Sequence, residues 1–218
     1  MTDRYDAIFF DNDGVLVDTE PLFLQATQEV LATVGVEVTP DTYHELTMRN
    51  GRTVFELATA RGISDDEILA LRAVRKGRYT ELIREGVRVL DGVRATLDAI
   101  SGRRPAAIVT SSTRDHFDEI HVQTGLVPYF EFVLADGDYA RHKPHPDPYL
   151  TAAERLGVDP ARCLVVEDTE RGLVAATDAG MECVVIPNAL TAHADFSRAT
   201  ARLDSMAELP GWLSIGAV

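Results

Sequence analysis

Five short apolar runs, at residues 7–10, 105–110, 130–134, 163–166 and 183–186, punctuate the chain. Each is too short for a buried helix and reads as a strand, those at 7–10 and 105–110 as strands covered on both faces. Stretches of helical spacing at 113–124, 146–156 and 173–179 separate the last four runs. That alternation implies parallel βαβ units with right-handed crossovers. The expected fold class is therefore α/β, with a Rossmann-like doubly wound parallel sheet as its core.

The interval after the first run breaks the rhythm. Residues 16–86 show helical spacing throughout and no strand. A first helix carries Leu22, Leu24, Ala26, Val30 and Leu31, with Thr19 as its cap, Pro21 in its first turn and Gly35 as its stop. Others begin near residue 40 and after Gly51. Ser64 and Glu67 form a capping box that opens a longer helix through Ile83, within which Gly77 is a weak point. The expected organisation is a core of 1–15 plus 87–218, interrupted by a helical cap domain at 16–86. In the tail, 201–203 reads as a short edge strand and 206–213 as a last helix, with Trp212 in a packing role.

A formal net charge of -14 over 218 residues argues against nucleic acid and anionic membranes as partners. No apolar run approaches the ~20 residues that span a bilayer. Met1-Thr2-Asp3-Arg4 leads straight into the first strand without a signal-peptide core, so the expected compartment is the cytoplasm. Cys163 and Cys183 are expected to be buried, reduced thiols.

Polar residues gather at the ends of the runs, where open α/β sheets build their sites. Asp11 and Asp13 follow the first run, with Gly14 allowing a sharp turn. Two such acids repel unless a cation lies between them, and carboxylate oxygens suit Mg²⁺. A calcium loop fits poorly: with Gly14 at loop position six, Glu20 falls at position twelve but Phe9 falls where the first acid is needed. Thr110 and Ser111 end the second run before a helix start, a place suited to phosphate, although Ser112 or Thr113 can equally be plain caps. Lys143 lies in a turn stiffened by Pro144, Pro146 and Pro148. On its own such a Lys is most simply a solvated charge, and the flanking His142 and His145 read as solvated turn residues. Glu167 and Asp168 end the fourth run. Adjacent strand residues point to opposite faces, so Asp168 is the direct metal candidate and Glu167 the second or water-mediated one. A charge match to the next helix N-terminus is the simpler alternative.

The longer string Asp11-Asn12-Asp13-Gly14-Val15-Leu16-Val17-Asp18-Thr19-Glu20-Pro21 resembles the first motif of the haloacid dehalogenase-like hydrolases, most of all the phosphatase and β-phosphoglucomutase branch. Thr110, then Lys143-Pro144 with Pro146-Asp147, then Glu167-Asp168 with the run 172–181, stand where that family has its second, third and fourth motifs. The resemblance implies that Asp11 attacks phosphorus and that Asp13 is the general acid/base. It implies that Lys143, Thr110 and Ser111 contact the phosphoryl group. Asp11, Asp13 (through its backbone carbonyl), Asp168 and Glu167 would form the Mg²⁺ site. In the cap, Glu20, Arg52 and Arg75 would face the substrate, and hinges near 15–19 and 86–91 would let the cap close.

The implied function is a Mg²⁺-dependent phosphatase acting on a small, sugar-like phosphomonoester through an aspartyl-phosphate, as a monomer or weak dimer. Asp13 and Asp168 favour phosphate over dehalogenation. A phosphomutase is the alternative, but Phe23 and Val54 stand where the mutase branch has a His and an Arg. A catalytically silent, partner-binding relative is the alternative of another class; the complete set of Asp11, Asp13, Thr110, Lys143 and Asp168 argues against it.

Overall fold

The structure is a computed structural model, and its described residues are 4–214; the expectations for residues 1–3 and 215–218 lie outside them. Strand β1 (Ala7–Phe10) is buried along its whole length. It pairs in parallel with β2 (Ala106–Thr113) on one side and β4 (Cys163–Glu167) on the other. With β3 (Phe132–Asp136), β5 (Glu182–Val185) and β6 (Ala201–Arg202) the parallel sheet has the order β3-β2-β1-β4-β5-β6.

Strand periodicity sorts the core into two layers. Ile8, Phe10, Leu164 and Val166 face helices α5 (Val93–Ile100) and α6 (Arg114–Thr124). Ala7, Phe9, Cys163 and Val165 face α7 (Asp147–Leu156) and α8 (Glu170–Asp178). Helices on both faces explain why the strands read as unbroken apolar runs rather than alternating ones. Cys163 and Cys183 are buried, free thiols. The strand order reverses at β1, so the ends of β1 and β4 lie side by side at the switch point where such sheets bind ligands.

Between β1 and α5 the regular elements are helical: α1 (Glu20–Ala32), α2 (Pro40–Tyr43), a π-helical turn His44–Arg49, α3 (Glu56–Thr59) and α4 (Asp65–Glu85). Leu24, Leu31, Tyr43, Phe55 and Ile68 form a separate apolar cluster there, while Tyr79, Leu82 and Ile83 of α4 join the first layer of the core. The Ser64/Glu67 capping box is formed, and α4 runs through Gly77 unbroken. Thr19 departs from expectation. Its side chain caps nothing in α1 and instead donates to Asp13.

Other boundaries shift. β2 continues three residues past Thr110, with an irregular register against β3 between Val109 and Thr113. β3 starts at Phe132, because Val127–Tyr129 forms a 3-10 turn. In the tail, α9 (Leu209–Trp212) follows β6, and Trp212 stacks on Tyr5 with ring centroids 6.2 Å apart. No helix among the described residues is long and apolar enough to cross a membrane.

Candidate active site

The ends of β1, β2 and β4 converge on one cluster. Asp11 N–H donates to the Val166 carbonyl at 3.0 Å, which ties the loop after β1 to β4. The Asn12 carbonyl then accepts from the N–H groups of Val15, Leu16 and Val17, folding the chain back. Gly14 has φ 80°, and a Cβ there would lie 2.1 Å from Asp168 Oδ2. Only glycine lets that carboxylate lie against the loop.

Lys143 is buried at the centre. Its Nζ donates to Asp11 Oδ1 at 2.7 Å, Glu167 Oε1 at 2.7 Å and the Val109 carbonyl at 3.0 Å, which uses all three of its hydrogens. Burial opposes its charge, but Asp11 and Glu167 outweigh that and raise its pKa. Glu167 is saturated. Oε1 also accepts from Tyr149 Oη at 2.8 Å, and Oε2 accepts from Asp168 N, Thr169 N and Thr169 Oγ1. Burial pushes Glu167 up, yet Lys143 and these hydrogen bonds hold it below the ordinary carboxylate value. A Cβ on Gly172 would sit 1.8 Å from Glu167 Cδ, so the first turn of α8 lies directly on this carboxylate.

Asp13 is held by three hydroxyls. Thr19 Oγ1 donates to Oδ1 at 2.5 Å; Thr110 Oγ1 at 3.1 Å and Ser112 Oγ at 2.8 Å donate to Oδ2. Asp168 contrasts with Glu167. Its Oδ2 accepts from Asn188 Nδ2 at 2.7 Å, but its buried Oδ1 has no partner. Burial, with Glu167 and Asp11 close by, pushes Asp168 well above the ordinary range. Burial likewise pushes Asp11 up to about 8 against the pull of Lys143.

One carboxylate oxygen from each of Asp11, Glu167 and Asp168 falls within a 4.8 Å group. Oxygen-only donors, an orphaned Asp168 oxygen and acids that burial alone would protonate together fit a small hard dication such as Mg²⁺. The carboxylate of Asp13 lies outside that group, and that of Glu167 is already taken up by protein donors. Among the acids expected at the metal site, this leaves Asp11 and Asp168 as the ones with oxygens to spare.

Asp11, Asp13, Lys143 and Glu167 floor a cavity of about 640 Å³ roofed by the helical segment. Ser111 and Glu20 line it. Glu20 accepts from Tyr43 Oη at 3.1 Å, and burial beside Asp13 pushes it up to about 7. Arg75 also lines it, with its guanidinium 4.3 Å from the Phe23 ring centre and Nε buried without a hydrogen-bond partner. Arg52 does not reach the cavity: it is exposed, lies in the turn before α3 and pairs with Glu56, the first residue of that helix. His142 and His145 are exposed and line no part of it. The sequence offered no sign of Tyr149 or Asn188, and Thr19 and Ser112 looked like helix caps. A hydroxyl or amide near a turn has many local partners, and its long-range one is set only by the fold.

Residues 8–186 match the family described as haloacid dehalogenase-like hydrolase. The chain is 36% identical over 213 residues to protein CbbY of Rhodobacter capsulatus, covering 92% of this chain and 93% of that one. It is 34% identical over 189 residues to fructose-1-phosphate phosphatase YqaB of Escherichia coli, covering 84% and 97%. A crystal structure of CbbY from Rhodobacter sphaeroides with xylulose-(1,5)bisphosphate superposes with TM-score 0.81 and 28% identity over 98% of this chain and 100% of that one. With its sheet order and its clustered strand-end acids, this chain belongs to the haloacid dehalogenase-like hydrolases, in their phosphatase branch.

Proposed function

We propose that the protein is a Mg²⁺-dependent phosphatase that hydrolyses a small sugar phosphate through an aspartyl-phosphate on Asp11. The observation that carries this reading is the division of labour among four buried groups. Lys143 is locked between Asp11 and Glu167, while Asp168, grouped with both acids, keeps one buried oxygen without a hydrogen-bond partner. Two of the named relatives act on or bind sugar phosphates, which supports the substrate class.

Asp11, Asp168 and the backbone carbonyl of Asp13 would hold Mg²⁺. When bound, the ion offsets the repulsion between the Asp11 carboxylate and a phosphate dianion. Asp11 attacks phosphorus, and the Lys143 hydrogen that Asp11 releases turns to the equatorial oxygens as charge spreads onto them. Asp13 gives a proton to the leaving alkoxide. It then takes one back from the water that attacks the acyl phosphate on Asp11 and releases phosphate, which restores its proton for the next turnover. Thr19, Thr110 and Ser112 orient Asp13 for both transfers, and Ser111 adds a contact to phosphate. Glu167 serves as the anchor of Lys143. The helical segment acts as a cap that excludes water and presents Glu20 and Arg75 to the sugar. Phe23 packs edge-on against Tyr79 and supplies no proton-carrying group, which favours hydrolysis over phosphoryl return to an isomeric sugar.

The test is a panel of sugar phosphates with Mg²⁺ and with EDTA, following free phosphate and isomeric products separately. Mg²⁺-dependent phosphate release, lost in Asp11→Asn, is expected. Full turnover in EDTA, or wild-type turnover by Asp11→Asn, would refute the mechanism.

A further inference from the structure

Asp168 depends on a residue beyond the span that matches the family, which ends at 186. The end of β5 is tied to the end of β4 by Ile186 N–H donating to the Glu167 carbonyl at 2.8 Å. Two residues on, the Asn188 side chain is gripped at both ends. Its Nδ2 donates to Asp168 Oδ2 at 2.7 Å, and its Oδ1 accepts from Leu190 N at 2.9 Å and Thr191 N at 3.2 Å. The Asn188 backbone N–H donates in turn to Thr191 Oγ1 at 3.0 Å. Two N–H donors on one side fix the sense of the amide, because a flipped group would set its NH2 against them. The NH2 is therefore committed to Asp168.

The other side of Asp168 Oδ2 is closed by the loop after β1. A Cβ on Gly14 would lie 2.1 Å from that oxygen and 2.9 Å from Asn188 Nδ2. One oxygen is thus packed and bonded, and Oδ1 is the one left buried without a partner. The same turn touches the helical segment, because Leu190 packs on its apolar cluster.

We propose that Asn188 is a positioning residue for the cation site: it selects which oxygen of Asp168 is presented to Mg²⁺. The proposal rests on the Mg²⁺ reading of the site. Groups that orient a metal ligand characteristically govern affinity by 10–100-fold.

Calorimetric titration of Mg²⁺ into wild type, Asn188→Ser and Asn188→Ala tests it, with melting in EDTA as the second readout. Serine keeps an oxygen for the turn's N–H groups but lacks the amide arm that reaches Asp168. Asn188→Ser should bind Mg²⁺ about 10–100-fold more weakly while melting near wild type in EDTA, and Asn188→Ala should bind as weakly. If Asn188→Ala does not fold, Asn188→Ser decides. Mg²⁺ affinity within about threefold of wild type in Asn188→Ser, with only the melting lowered, would reduce Asn188 to a turn residue and overturn the proposal. Wild-type protein that binds no Mg²⁺ would overturn both the proposal and the reading beneath it, so the two failures are told apart.

Discussion

Lys143→Met isolates the electrostatics of the site. Methionine keeps most of the lysine stem's volume, so packing changes little. It removes the one ammonium that lies 2.7 Å from both Asp11 Oδ1 and Glu167 Oε1. Side-chain exposures of 5% for Lys143, 11% for Asp11 and 1% for Glu167 put this triad outside the surface regime, where ion pairs contribute ~0–1 kcal/mol. Removing one partner of a buried pair costs ~3–5 kcal/mol. At ~2–4 °C per kcal/mol for a chain of this size, the melting temperature should fall by ~6–20 °C at pH 7 in EDTA.

The pH dependence carries the sign. In wild type Glu167 sits below its ordinary value, so its contribution is present above that value and is lost as pH falls through the lowered one. In the variant the burial that already opposes ionisation is unchecked, and Glu167 and Asp11 move up. Their contribution is then present at low pH and lost as pH rises through the raised values. The deficit against wild type should therefore shrink between pH 7 and pH 5, and Glu167→Gln added to Lys143→Met should recover part of it. Scanning calorimetry at the two pH values decides. A fall under ~3 °C at pH 7, or a deficit that grows on acidification, would refute the reasoning.

Gly172→Ala places a methyl where Glu167 Cδ now lies, so it should cost ~1–3 kcal/mol in urea unfolding and depress kcat by displacing the Lys143 anchor. Arg75→Met should raise KM for the best sugar phosphate by about 10–100-fold, the loss of one charge-assisted contact, with kcat less affected. Arg52→Ala, which removes an exposed pair with Glu56, should leave both parameters within about twofold. Equal effects from the two arginines in steady-state assays would show that the cavity wall is wrongly assigned.

The strands were legible because burial on both faces leaves an unbroken apolar run, and the α4 start because a capping box is a local device whose partners are three residues apart. Asp11, Lys143 and Asp168 were legible through the order of their motifs, each at a strand end. Local pattern was less reliable at Thr19, where cap chemistry was right for the residue type and wrong for the partner. It was silent on Tyr149, whose hydroxyl finds Glu167 only because α7 and β4 are packed together.

What the linear order determined by itself was the alternation that forces a parallel sheet, the helical block after the first strand, and which acids and which lysine end up at strand ends. Tertiary structure alone decided how those groups share the work. Glu167 and Asp168 are neighbours with the same functional group, yet one is saturated by Lys143, Tyr149 and Thr169 and the other keeps a free oxygen. Arg52 and Arg75 carry the same charge, yet only one faces the cavity. Periodicity is a property of a segment and can be read along it. The number of donors around a buried oxygen depends on chains that meet only once the sheet has formed.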